Sequence, residues 1–209
     1  MILSVNKIIN LQKRLGINWH KKNLEYLNEA KQIHKNSFYE LIEANHRHNF
    51  NLWHLEDRAR ERRISDSNIA NIKRKIDKEN QRRNDSIEKI DEWFSSRLKK
   101  NRRRLAKNPL IHTETVGSVI DRLSVLNLKI NHMQIEAKRK DSSREHRLLA
   151  KKRLRILNLQ YKDLIYAFKI LLKEIEEGRK NHKMYYQFKM YNDPDFNPRI
   201  YKNVKKNRQ

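Results

Sequence analysis

SNIANIKRKIDKENQRRNDSIEKIDEWFSSRLKKNRRR, residues 67–104, decides the fold class. It holds no Gly and no Pro. Ile69, Ile72, Ile76, Asn80, Arg83, Ile87, Ile90 and Phe94 recur at steps of three and four, the period of one face of an α-helix. Ser and Asp oxygens in the preceding Ile64-Ser65-Asp66-Ser67 can accept the orphan N–H groups of a first turn. The reading is one long helix from about residue 67 to 104.

The flanking segments repeat this pattern. Upstream, residues 21–63 read as helix with a break near 33–37, and Phe38, Leu41, Ile42, Asn45, Asn49, Leu52, Glu56 and Ala59 share a stripe. Residues 1–15 make a short amphipathic helix that Gly16 ends, with Trp19 in the link that follows. Downstream, NPLIHTETVG (108–117) is a loop, and Thr113 or Thr115 can cap the next helix. That helix, about 116–138, carries Val119, Ile120, Leu123, Leu126, Ile130 and Met133. DSSRE (141–145) reads as a turn with a capping box from Ser142 to Glu145. The last long helix runs to about Glu177 on Leu149, Ile156, Leu159, Leu164, Ile165, Phe168, Leu172 and Ile175. Gly178 fits the position just past its end. Four long helices on short links predict an all-α, up-down bundle of antiparallel neighbours. A short N-terminal helix and link (1–20) and an aromatic C-terminal tail complete it. One domain over 1–209 is expected, with 202–209 frayed.

Composition agrees. Of 209 residues only 3 are Gly and 3 Pro, too few for the turns of a β-rich fold. Lys+Arg number 49 against 25 Asp+Glu, a net charge of +24, which favours polyanionic partners. The abundance of Lys, Asn and Ile, residues of A/T-rich codons, offers an explanation that needs no partner. With no cysteine there are no disulfides, thiolate metal sites or Cys nucleophiles. The N-terminus lacks the apolar core of a signal peptide. No stretch approaches ~18 uninterrupted apolar residues, so no transmembrane segment is expected. A cytoplasmic location follows as the default. The sequence fixes no oligomeric state.

LWHLEDRAR (52–60), NQRRNDSIEKIDEW (80–93), TVGSVIDRLSVLNLKINHM (115–133) and QFKMYNDPDFNP (187–198) together resemble the bacterial family catalogued as domain of unknown function 4254. The resemblance spans about residues 38–201; TVGS departs from it, where a proline is expected before the Gly. It implies a helical protein with no established activity, loosely associated with genes for cell-surface polysaccharide assembly.

Three predicted helices interrupt their apolar stripes with polar groups. Asn45, Asn49 and Glu56 do so on the first, Asn80, Arg83 and Asn84 on the second, and Asp121, Arg122, Asn127, Lys129 and His132 on the third. A buried polar group without a partner costs about 1–3 kcal/mol, so these must meet each other, water or a ligand. One reading is a pocket for an anionic small molecule, phosphorylated or sugar-linked. Arg83, Arg122 and Lys129 would hold its charge and Asn45, Asn49 and Asn84 would orient it, with Asn80, Asp121 and His132 also in the site. The other is an inter-helix network that fixes register. The leading functional expectation is a binding or accessory protein in cell-envelope glycan metabolism.

Two alternatives stand beside it. Glu56, Asp57, Glu88 and Asp91 could gather around Mg²⁺ in a helical phosphohydrolase. The bulk charge, the acid-free run RLKKNRRRLAK (97–107) and the aromatic-basic tail Tyr185, Tyr186, Phe188, Lys189 and Tyr191 would suit RNA. A di-iron centre is disfavoured, because Glu43-Ala44-Asn45-His46 has no second E-x-x-H. Trp53 is expected in the core.

Overall fold

The structure, a computed structural model, describes residues 3–28, 37–100, 104–190, 193 and 195–199. Within these the chain forms five helices: α1 (Val5–Lys21), α2 (Phe38–Arg58), α3 (Asp66–Lys100), α4 (Val116–Lys138) and α5 (Arg144–Glu176). Two-residue strands β1 (Leu110–Ile111) and β2 (Lys180–Asn181) pair in parallel, tying the α3–α4 loop to the chain leaving α5. The all-α bundle is therefore observed, with this small bridge added.

Capping chemistry sets the starts. Ser37 and Glu40 form a capping box on α2. The Thr115 hydroxyl accepts from Ser118 N–H at the start of α4. At α5 the cap is Ser143, accepting from His146 N–H at 3.1 Å, rather than Ser142 as expected. Gly178 follows α5 at φ +77, and a Cβ there would lie 2.2 Å from the Arg104 carbonyl oxygen. Only glycine satisfies both conditions.

α4 is the central helix: it touches α1, α2, α3 and α5. Its Val116, Val119, Ile120 and Leu123 lie in the main core with Ile8 of α1, Ile42 of α2, Ile90 and Phe94 of α3 and Phe168 and Leu172 of α5. Along the α2–α3 hairpin, partners descend α3 as the chain ascends α2. Asn45 meets Ser86, His48 meets Glu79, and Leu55 packs with Ile72.

Three expectations for the elements are corrected. α1 runs through Gly16 to Lys21, because Gly16 is buried against α2, where a Cβ would meet His46 Nε2 at 3.3 Å. The close approach offsets the roughly 1 kcal/mol that an interior glycine costs a helix. It also places Trp19 on the His46 and Phe50 rings. Residues 22–28 are not helical; Asn51 holds them by accepting from Leu27 N–H and donating to Leu27 O, at 2.8 and 2.9 Å. The expected break near 33–37 lies mostly outside the described residues. Finally, Leu149, Ile156 and Leu159 of α5 are exposed. The face turned to the core there carries Ala150, Leu154, Leu157 and Tyr161, a narrow strip where α5 has few neighbours.

The chain after β2 docks on α3 through polar contacts: Glu88 accepts from Gln187 N–H, and Lys189 donates to the Asn80 carbonyl. The tail aromatics Tyr185, Tyr186 and Phe188 remain exposed. The expected frayed segment 202–209 and Tyr191 lie outside the described residues, as does the centre of the basic run, 101–103. No described helix is long and apolar enough to cross a membrane.

Candidate functional site

The polar interruptions of α2, α3 and α4 assemble into three places, the first two sharing Arg83 and Asp121. The first is a closed network on Asp121, which is 3% exposed. Its carboxylate accepts from Asn45 Nδ2 at 3.0 Å, Asn49 Nδ2 at 2.8 Å and Arg83 Nε at 2.8 Å, and pairs with Arg83 through a second guanidinium nitrogen. The fork is bidentate, the strong geometry for this pair. Held against Asp121, the Arg83 guanidinium is pushed up from its ordinary value. Asn45 also donates to Ser86 Oγ, Asn49 to Ser124 Oγ, and Ser124 Oγ lies 2.7 Å from His46 Nδ1. The carboxylate, amides and hydroxyls satisfy one another, while the buried His46 Nε2 has no hydrogen-bond partner among the described residues. Burial, with the charge of His20 second, depresses His46 to about 3, so it is neutral in this network.

The second place is a groove of about 640 Å³ bounded by α3, α4 and α5. Arg83 lies at its base, with Arg122 and Lys129 on the α4 wall, and Gln160, Asp163, Leu164 and Ala167 come from α5. Arg122 is exposed and pairs with Glu114, also in the groove. The sequence grouped Asp121 with Arg122, but adjacent helical residues point about 100° apart, so one faces inward and the other outward.

The third place is a cluster of imidazoles. His20 of α1, His54 of α2 and His132 of α4 bring ring nitrogens within 4.8 Å of one another. His20 Nε2 and His132 Nε2 are 3.1 Å apart. The other nitrogen of His20, Nδ1, lies 2.6 Å from the Gly16 carbonyl oxygen. The Asn131 amide nitrogen lies 3.0 Å from the same Nδ1, which leaves Nε2 facing the cluster. Phe50 packs against His20 and His54, and Trp53 stacks on His132 at 4.4 Å. Trp53 thus lines this cluster instead of filling the core. Burial first, then the charges of His20 and His54, lowers His132 to about 4; burial and His20 lower His54.

Of the remaining expected residues, Asn127 donates to Gln12 of α1, and Asn84 is buried, its Nδ2 without a hydrogen-bond partner among the described residues. Asn80 contributes its carbonyl to Lys189. The expected carboxylate site for Mg²⁺ does not assemble. Glu56 pairs with Arg60, and Asp57 is exposed. Glu88 receives Gln187, and Asp91 is buried, accepting from Gly117 N–H at 2.7 Å. Burial raises Asp91 to about 6. Glu56 is level with Ile72, and Glu88 lies sixteen residues further along α3. At 1.5 Å per residue this separates the two halves of the site by about 24 Å.

Sequence reasoning passed over two features. Glu79 is 1% exposed and accepts from Tyr26, with His48 and Arg82 alongside. Burial would raise it, but the His48 and Tyr26 hydrogen bonds prevail and hold it near 2. His20 was missed because a helix ending at Gly16 cannot place it. The signal available was His46, Phe50 and His54 at steps of four, a ridge that needs a neighbour.

The family model described as "Protein of unknown function (DUF4254)" matches residues 39–184. No curated protein and no solved structure matches the chain.

Proposed function

Because the chain belongs to the DUF4254 family, whose description names no activity, we propose its function from its own geometry. It is a binding protein for an anionic, sugar-linked ligand held in the groove between α4 and α5. The observation that supports this is the convergence of Arg83, Arg122 and Lys129 on one open groove. Arg122 and Lys129 are two turns apart on α4, about 10 Å along the axis, and reach from one wall. Arg83 is committed to Asp121, so it shapes the floor and the two outer cations bind. The Arg122–Glu114 pair is well exposed, with Arg122 59% accessible. Such pairs contribute roughly 0–1 kcal/mol, so a phosphate can displace the carboxylate. Asp163 and Gln160 opposite suit sugar hydroxyls, while Val125, Leu164 and Ala167 offer an apolar floor for a sugar face. A place in cell-envelope glycan metabolism, the pathway the resemblance suggests, fits a ligand of this chemistry.

Calorimetry and thermal shift with glucose 1-phosphate, glucose and inorganic phosphate test the reading. The sugar phosphate should bind best, and at 100 times its Kd should stabilise the fold by about 2.7 kcal/mol. Arg122→Gln combined with Lys129→Gln should abolish the shift and leave the unliganded melt unchanged. Equal shifts in both proteins, or none with the sugar phosphate, would falsify it.

A further inference from the structure

We propose that His20, His54 and His132 bind one divalent transition-metal ion, zinc or a similar late first-row ion, with a coordination position left for water or another ligand. Three helices distant in sequence deliver one imidazole each to the same point. Two nitrogens on a tetrahedral zinc, at about 2.0–2.1 Å from the metal, lie about 3.3 Å apart. The His20 and His132 Nε2 atoms are 3.1 Å apart, which is ligand spacing as well as hydrogen-bond spacing.

The third ring discriminates between those two arrangements. His54 Nε2 is buried with no hydrogen-bond partner, at a cost that a simple His20–His132 hydrogen bond does nothing to relieve. An ion shared by three rings gives every member of the cluster a role. The surroundings match what metal-ligating histidines require. The Gly16 carbonyl oxygen and the Asn131 amide nitrogen, at 2.6 and 3.0 Å, hold the orientation of His20 through Nδ1. Phe50 and Trp53 form an apolar wall around the nitrogens. Outer contacts of this kind raise ligand basicity and control the dielectric around the ion. All three residues are partly exposed.

The donor set selects the ion. Three imidazoles without a carboxylate oxygen favour zinc, copper, nickel or cobalt over Mg²⁺ and Ca²⁺. Three protein ligands, rather than four, is the count of sites that keep an open position. The site is separate from the α4–α5 groove and does not depend on the reading given to it.

The test is titration of the chelator-treated full chain with Co²⁺, followed by competition with Zn²⁺. One equivalent of Co²⁺ should bind and give the visible bands of a low-coordinate nitrogen site, which Zn²⁺ removes. Cu²⁺ should quench the fluorescence of Trp53, and Trp53→Phe should lose that component. His54→Gln and His132→Gln, checked for folding by circular dichroism, should each weaken Co²⁺ binding at least ~10-fold. His112→Gln, on the loop before α4, should leave it unchanged. Absence of saturable Co²⁺ binding below about 1 mM, an octahedral aqua-like spectrum, or equal affinity in His54→Gln and His112→Gln overturns the proposal.

Discussion

Replacing Arg83 with methionine separates a structural from a ligand-binding role for the polar seam. The substitution leaves the Asp121 carboxylate, 3% exposed, with the amide donors of Asn45 and Asn49 but no countercharge. Removing one partner of a buried pair costs about 3–5 kcal/mol. The Arg83 side chain is 30% exposed, so water recovers part of this, and the expected loss is about 2–4 kcal/mol. For a chain of this length each kcal/mol moves Tm by roughly 2–4 °C, so the midpoint should fall by on the order of 4–16 °C. Urea unfolding followed by circular dichroism measures it, with the m-value unchanged if the native state is intact. Adding Asp121→Asn to Arg83→Met should restore part of the loss. The new amide oxygen can still accept from Asn45 and Asn49, and its nitrogen points into the space the guanidinium vacated. In the wild-type background that same nitrogen faces Arg83, so Asp121→Asn alone should be costly. The cycle should therefore show coupling of at least ~1 kcal/mol. A loss below ~1 kcal/mol for Arg83→Met, or strictly additive effects, would show that the pair does not hold the seam.

The two perturbed carboxyls give opposite pH dependences. Glu79, held near 2, contributes stability that is complete above its ordinary 4.5 and is lost as pH falls toward 2; Glu79→Gln should flatten the stability curve in that window. Asp91, raised from 3.8 to about 6, takes up a proton on folding, so its contribution falls as pH rises from about 4 through 6, and Asp91→Asn should remove that slope. Urea unfolding between pH 3 and 7 tests both, and a slope of the other sign in either window contradicts the assignment. Gly117→Ala should destabilise by about 1–3 kcal/mol or more, since a Cβ would sit 2.4 Å from the Ile87 carbonyl oxygen. Gly16→Ala, whose nearest obstacle is His46 Nε2 at 3.3 Å, should be within about 1 kcal/mol of neutral because alanine favours the helix. Thermal melts that reverse this order would show that the α3–α4 approach is looser than described.

The helices were readable because their apolar side chains recur at the helical period, and the starts because capping residues are local. The seam was also readable: a stripe such as Ile42, Asn45, Asn49, Leu52 announces that polar groups must be satisfied inside. What one helix cannot reveal is its rotation against its neighbours. Asp121 and Arg122 look like one cluster in sequence, but about 100° apart on α4 the first is buried and the second exposed. For the same reason Leu149, Ile156 and Leu159 read as core and are exposed, since only the neighbour decides which of two apolar strips is covered. Gly16 shows the limit of local rules. As a helix breaker it has a plausible local reading, and the contact that overrides it lies thirty residues away at His46.

The central network spends its donors and acceptors on itself: Asp121 receives Arg83, Asn45 and Asn49, while Ser86 and Ser124 take the remaining amide hydrogens. A ligand entering it would have to break a buried ion pair and gain nothing that the pair lacks. Exposed or exchangeable groups occur instead elsewhere along α4. The exposed cations Arg122 and Lys129 line the groove, and one turn past Lys129 His132 faces His20 and His54. Lys129 and His132 are three residues apart on a helix that touches every other helix. A buried, self-satisfied pin at Asp121 holds that helix in fixed register. It thereby fixes the positions of the histidines and of the groove, whose lining it shares through Arg83 and Asp121.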